Sequence, residues 1–340
     1  FSNVIEHLRG KTEQGFIPND NRGNGSKSFD RSQPPVGGIM VKEVYKTYPE
    51  DWFLKATFDD LLGWNRWWHR SRNNEGLLSY GSSPANNPFN EPVFETKTAA
   101  GYESGMDDSP MYIGVPFNKK KHTLELQDVG LTSLYIADCR ALAEMAGILK
   151  RKKEQKELES RAKQYALKME ELWSPEFGAY LNYRTDVDSL STRVSPTLFY
   201  PLMAKVGNGE KNEIIMEHFY NPEEFYGEWM LPSTTRNDPT FSRQRYWKGA
   251  IWPPLNFLTY LSLRQAGYTD AATELSEKSL KLIMTEWTRK GYVSENYSAI
   301  TGTGDDSRLS SDRFHSWGAL FGIMTFIENG YLPQIESPME

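Results

Sequence analysis

Three carboxylates crowd into six positions of the stretch "YESGMDDSP" (102–110): Glu103, Asp107 and Asp108. A fourth, Glu295, stands far along the chain in "SENYS" (294–298), and His315 stands in "FHSWGALFG" (314–322). Each stretch lies at the edge of a helical pattern, where the loops of a helical scaffold can converge. One acid from each of two separated loops is what glycosidic-bond hydrolysis needs. One carboxyl is held protonated as the general acid, and the other flanks the same bond. In an inverting enzyme the second carboxylate activates a water, and the two groups lie roughly 6.5–9.5 Å apart to admit it. Taken alone, "YESGMDDSP" reads equally as a plain acidic turn, because Asp, Gly, Ser and Pro are the usual turn formers.

The aromatic content points the same way as the acids. The 340 residues include 10 Trp, 18 Tyr and 17 Phe, together 13%. Many stand beside polar residues, as in "WNRWWHR" and "RYWKGAIW", where a core would need no Arg, Asn or Lys. Flat rings next to hydrogen-bonding groups suit sugars, which present C–H faces and equatorial hydroxyls. The net charge of −6 gives no basic face for nucleic acid. No apolar run reaches the ~18 residues that a membrane span requires. The single cysteine, Cys139, excludes an intrachain disulfide framework and a multi-cysteine metal site. It sits in an apolar helical pattern and is expected to be buried. The chain starts at Phe1 with no signal-like segment, so the N-terminus does not report localisation. A periplasmic or extracellular setting is the working expectation, with the cytoplasm as the alternative.

Helices must position these residues. Leu131, Leu134, Tyr135, Leu142, Met145, Ala146 and Leu149 recur at the spacing of one helix face, and Asp138 falls on it as a structural carboxylate. Thr269 is expected to cap a helix that Gly291 stops, and Pro253 and Pro254 suit the first turn of another. The same pattern predicts helices near 1–10, 34–48, 51–72, 123–149, 152–174, 194–206, 209–218, 252–266, 269–289 and 312–329, with short strands near 178–184. Long polar loops follow alternate helices at 73–122, 175–193, 220–248 and 290–311. Paired helices with functional loops at one end suggest an all-α toroid. A complete toroid of six hairpins needs twelve helices and the pattern predicts about ten, so the first hairpin is expected to lie outside this chain. No Pro/Gly/Ser-rich linker divides the sequence, which leaves residues 1–340 as one catalytic domain, incomplete at its N-terminus.

Seven segments, in order, carry a resemblance that covers nearly the whole chain. They are "GFIPNDNR" (15–22) with "DRSQPP" (30–35), "WNRWW" (64–68), "ESGMDDSP" (103–110), "RYWKGAIWPPLN" (245–256), "ENY" (295–297) and "HSWGAL" (315–320). Together they resemble glycoside hydrolase family 63, which includes the processing α-glucosidases and their bacterial relatives. The resemblance implies an (α/α)6 barrel and inversion at the anomeric carbon. It implies Asp107 as general acid, with Asp108 as its nearest competitor, and Glu295 as general base. Asp107 is preferred because the related trehalases place an Asp directly after their "SGW". Glu103 is expected to fix a sugar hydroxyl or a neighbouring arginine.

The resemblance also places substrate-binding residues. Trp64, Arg66 and Trp67 resemble family residues that line the sugar pocket, although helical positions about 100° apart cannot all face it. Trp247, Lys248, Gly249 and Trp252 resemble the family's "W-basic-G-x-x-W" segment beside the cleaved sugar. The amides of Gln33 and Asn19 are candidates to read hydroxyls, and His315 and Trp317 to form the pocket rim. Trehalases have "PGGRF" and "QWDYP" segments that this chain lacks. Some bacterial members hold calcium in the loop after "WNRWW". Here that loop, "RSRNNEGLLSYG" (70–81), has one carboxylate, Glu75, whereas calcium takes about six to eight oxygens. No metal and no cofactor are expected.

The leading expectation is an inverting α-glucosidase acting on short α-glucosides or oligosaccharides. Hydrolysis of mannosylglycerate, glucosylglycerate or trehalose is the alternative within the fold. A glycerate carboxylate would want a cationic clamp, for which Arg243 and Arg245 are candidates. A carbohydrate-binding toroid without catalysis is the reading from another class.

Overall fold

The computed structural model describes residues 1–85 and 94–332, so part of the 73–122 loop lies outside the described residues. Helical periodicity is honoured through most of it. The α-helices are α1 (Ser2–Arg9), α2 (Gly37–Thr47), α3 (Asp51–Ser71), α4 (Lys97–Ser104), α5 (Val129–Ile148), α6 (Lys152–Met169), α7 (Tyr200–Met203), α8 (Gly209–Tyr220), α9 (Pro253–Gln265), α10 (Thr269–Lys290) and α11 (Ala319–Glu328). The strands among the described residues are two residues long, and the largest sheet joins three of them, Leu126–Gln127, Tyr183–Arg184 and Ser189–Leu190. The all-α expectation holds. Among the described residues no helix is long and apolar enough to cross a membrane.

Local chemistry explains where the helices differ from the pattern. The helix expected from 123 starts at Val129, because Asp128 caps it through the Leu131 N–H (2.8 Å). The residues before it pair instead as short strands, Thr123–Leu124 with Phe117–Asn118 and Leu126–Gln127 with Tyr183–Arg184. Thr269 is not the cap of α10; Tyr268 holds that position without a side-chain bond, and Thr269 is the first helical residue. Gly291 does end α10, in the left-handed conformation (φ +72°). Pro253 and Pro254 open α9 as expected. The helix expected at 194–206 is a 3-10 turn, Pro196–Phe199, followed by the short α7. Missing from the pattern altogether is α4, capped by Thr96 and closed by Gly105 at φ +68°.

The chain divides into two compact units. One comprises Phe1–Asp107, Gly114–Trp173 and Asn182–Leu190, and the other Asp108–Ile113, Ser174–Leu181 and Ser191–Glu340. In the first, α5 packs against α6, α2 and α3 and is buried along most of its length. Cys139 is fully buried there, and burial pushes its thiol up to about 12. Asp138, beside it, accepts from the Gly38 N–H at 2.7 Å and from Asn65 Nδ2 at 2.8 Å. Asn65 in turn accepts from Arg161 at 2.9 Å. In the second unit α9 packs against α7, α10 and α11.

Asp138 gives the first unit a pH signature. Burial pushes its carboxyl up to about 7, with the Asn65 and Gly38 bonds opposing the shift. A carboxyl whose pKa is higher folded than unfolded adds stability that is complete below its ordinary value of 3.8 and is lost as pH rises through about 7. Asp128, pushed up to about 6 by burial, adds to the same slope. Urea unfolding should therefore give a stability that declines from about pH 4 to about pH 7, and Asp138→Asn should flatten that decline. Parallel curves for the two proteins would contradict the assignment.

Candidate active site

The acidic stretch begins on a helix. Glu103 lies in the last turn of α4 and is fully buried in the first unit. Arg72 donates to it from Nε (2.6 Å) and Nη2 (2.8 Å), and the Ser32 and Gly81 amides complete the set at 2.8 and 2.6 Å. Of its two expected partners Glu103 takes the arginine, and its oxygens are occupied by the protein rather than by a sugar. Burial pushes its carboxyl upward, while Arg72 and the two amides pull against the shift. The Arg72 guanidinium also sits 4.7 Å from the centre of the Trp67 ring.

Two glycines then set the course of the chain toward the aspartates. Gly105 takes the left-handed conformation that ends α4. A Cβ on Gly101 would lie 2.4 Å from the Asp107 carbonyl oxygen, so the turn bearing Asp107 rests directly on the helix. Asp107 is partly buried.

In the second unit Asp108 is tied to the "RYWKG" turn. Its carboxylate accepts from the Trp247 N–H at 3.1 Å and forms an ion pair with Lys248. Trp247 and Trp252 stack at 3.8 Å with an interplanar angle of 8°, both buried, and Trp252 Nε1 donates to the Tyr246 carbonyl at 2.9 Å. Gly249 has φ +99°, and a Cβ there would meet the Phe241 carbonyl at 2.5 Å, so this turn requires glycine.

Glu295 lies on a short pairing of two segments in the same unit. Its N–H donates to the Asp312 carbonyl at 2.9 Å, and Phe314 N–H donates to the Val293 carbonyl at 2.8 Å. The Asp312 N–H reaches back to Glu295 Oε2 at 3.3 Å, while His315 Nε2 lies 3.7 Å from Oε1. Burial pushes the Glu295 carboxyl upward, the Asp312 amide and His315 pull it down, and the Asp312 carboxylate pushes it up. Trp317 meets His315 and Trp252 edge-on, at 4.9 and 5.9 Å. Lys248, Asp108, Glu295, His315 and the stacked tryptophans thus belong to one unit.

The other anticipated residues have structural partners in the first unit. Trp64 is 5% exposed and donates from Nε1 to the Ser32 hydroxyl at 2.8 Å. Trp67 is 1% exposed, packed on Phe16 with ring centres 4.4 Å apart. Arg66 points to α6, where it pairs with Glu157 at 2.9 and 2.5 Å. Gln33 donates to the Asn19 carbonyl (2.7 Å) and Asn19 to the Tyr102 carbonyl (2.9 Å), tying the N-terminal loop to α4. Glu75 pairs with Lys121 at 3.4 Å, and among the described residues no cluster of three His, Cys, Asp or Glu side chains could hold a metal ion. Arg72, Gln244 and Asp312 emerge only here. Arg72 follows "WNRWW" closely and Gln244 precedes "RYWKG", but nothing in the sequence marks either as a partner of the acidic loops.

An all-α scaffold whose loops carry acids beside stacked tryptophans is that of the helical glycoside hydrolases. The profile of the mannosylglycerate hydrolase MGH1-like glycoside hydrolase domain matches residues 3–317. The chain belongs to this group, within glycoside hydrolase family 63. It is 24% identical over 325 residues to mannosylglycerate hydrolase MGH1 of Selaginella moellendorffii, covering 80% of this chain and 62% of that protein. To the mannosylglycerate hydrolase of Rubrobacter radiotolerans it is 28% identical, covering 82% of this chain and 71% of that one. Among solved structures, the family 63 mannosylglycerate hydrolase from Thermus thermophilus in complex with glucose superimposes with a TM-score of 0.74 at 20% identity, over 95% of this chain and 86% of that one. The likeness shows a shared fold, the (α/α)6 fold of that family. The chain spans about 62% of the length of the Selaginella relative.

The Glu103–Arg72 pair makes a stability prediction. Arg72→Met would leave a buried carboxylate without its cation, which costs about 3–5 kcal/mol. Urea denaturation should find a loss of that size. A loss below about 1 kcal/mol would mean that the remaining amides suffice to hold Glu103.

Proposed function

We propose that this chain is an inverting α-glycosidase acting on mannosylglycerate, with residues 1–340 working as one catalytic domain. The observation that carries the reading is the family match over residues 3–317. The substrate class follows from the mannosylglycerate hydrolases of Selaginella and Rubrobacter, each matched over 80% or more of this chain. In this reading Asp107 protonates the leaving oxygen and Glu295 deprotonates the attacking water. Asp107 is preferred to its neighbour on the resemblance carried by "ESGMDDSP", and Asp108 pairs with Lys248 and the Trp247 N–H. Arg243 and Arg245 are exposed, and among the described residues neither forms an ion pair, which leaves both open to a glycerate carboxylate. A preference for neutral α-glucosides is the competing reading.

Asp107→Asn and Glu295→Gln should each lower kcat by about 10²–10⁴-fold without changing the circular dichroism spectrum. Near-normal turnover in either would sink its assigned role. Proton NMR of fresh product should show inverted configuration. A panel of mannosylglycerate, glucosylglycerate, trehalose and short α-glucosides decides the substrate. Binding of any of these without turnover would favour the non-catalytic alternative.

The pH profile offers an independent check on Glu295. A base must be ionised, so the rate falls as pH drops through its raised pKa. His315 pulls that pKa down. His315→Gln should therefore move the acidic limb of kcat/KM to higher pH. A limb that stays put would separate His315 from the base.

A further inference from the structure

Residues 244–251 leave the 297–299 segment and rejoin it. At one end Ile251 and Tyr297 exchange backbone hydrogen bonds, of 2.7 Å from the Ile251 N–H and 3.0 Å from the Tyr297 N–H. At the other end the Gln244 side chain makes the tie. Its Oε1 accepts from the Ala299 N–H at 2.7 Å and from the Ser298 hydroxyl at 3.3 Å, and its Nε2 donates to the Phe241 carbonyl at 2.8 Å. Gln244 is fully buried and holds φ +49°, a conformation that a side-chain-bearing residue adopts only under constraint. The backbone of the excursion is contorted throughout, with Tyr246 at φ +55° and Gly249 at φ +99°.

The two segments joined in this way carry chemistry on both sides. The excursion supplies the Trp247 N–H and the Lys248 ammonium that grip Asp108, the residue after Asp107. The other segment follows Glu295 directly. We propose that Gln244 is a positioning residue. It fixes the register between the turn that grips Asp108 and the segment that bears Glu295, and so the placement of Glu295 for the reaction. The inference rests on the roles assigned above to Asp107 and Glu295.

The side chain is specific to the task. A carboxamide gives a donor to Phe241 and an acceptor to Ala299 at once. Methionine fills a similar volume and does neither. Glutamate keeps the acceptor, and supplies the donor only when protonated. A misplacement of about 1 Å at a catalytic group costs on the order of a hundredfold in rate.

The test uses the full chain with three variants, Gln244→Met, Gln244→Glu and Glu295→Gln, assayed on mannosylglycerate alongside peptide-resolved hydrogen exchange. Gln244→Met should lower kcat by roughly ten- to a hundredfold with KM within about twofold. The 295–299 amides should exchange faster while those of α9 and α10 stay unchanged. The ratio of Gln244→Glu to wild-type kcat should climb as pH falls and the new carboxyl gains its proton. Wild-type kcat and unchanged exchange in Gln244→Met would overturn the proposal, and so would faster exchange throughout α9 and α10, which marks general destabilisation. If Glu295→Gln stays active, the catalytic reading itself fails. The exchange at 295–299 then still decides whether Gln244 holds that segment.

Discussion

The reciprocal hydrogen bonds between Ile251 and Tyr297 are the constraint on which the second unit's candidate site depends. One bridge joins two loops that are more than forty residues apart and carry different functional groups. The bridge is backbone to backbone, between two residues that are both fully buried. Side chains then do the fine adjustment: Gln244 at the near end, Lys248 toward Asp108, and His315 toward Glu295. The turn between them leaves no room for a side chain at Gly249, where a Cβ would lie 2.5 Å from the Phe241 carbonyl.

A corresponding constraint organises the first unit, and it is electrostatic. Glu103 and Arg72 are both completely removed from solvent, so each requires the other. Ser32 and Gly81 commit their amides to the same carboxylate, which draws the N-terminal loop and the loop after α3 onto the end of α4. The turn bearing Asp107 rests on that helix at Gly101. The first carboxylate of "YESGMDDSP" is therefore the one that builds the platform for its neighbours.

What can be read from sequence divides along physical lines. Helices with a clear apolar face, α3 and α10 among them, announce themselves through periodicity, and glycine and proline mark ends such as Gly291 and Pro253. Helix α4 carries no such stripe: Lys97–Ser104 is short, rich in small residues and weakly amphipathic, and its cap, Thr96, looks like any loop threonine. The tryptophans are legible as important but not as to partner. Trp64, Trp67 and Trp252 are core residues whose neighbours, Ser32, Phe16 and Tyr246, come from other segments or turns. Arg66 cannot be assigned from sequence because helix phase decides between a pocket and Glu157, and the phase is set by packing against α6. Gln244 and Arg72 are invisible for a related reason: a buried amide or guanidinium is defined by its partners, all of which require the fold to bring them together.

The environment of Glu295 bears on which of the proposed carboxyls does what. A general base needs to be ionised at working pH and still basic enough to take a proton from water. Burial alone raises the carboxyl. Here the Asp312 amide and His315 oppose burial, while the Asp312 carboxylate reinforces it. The outcome is a raised but tempered basicity. Asp108 is arranged to the opposite end. Direct pairing with Lys248 and the Trp247 N–H occupies it as an acceptor. Glu103 and Asp108 are thus each tied to a cation, Arg72 in the first unit and Lys248 in the second.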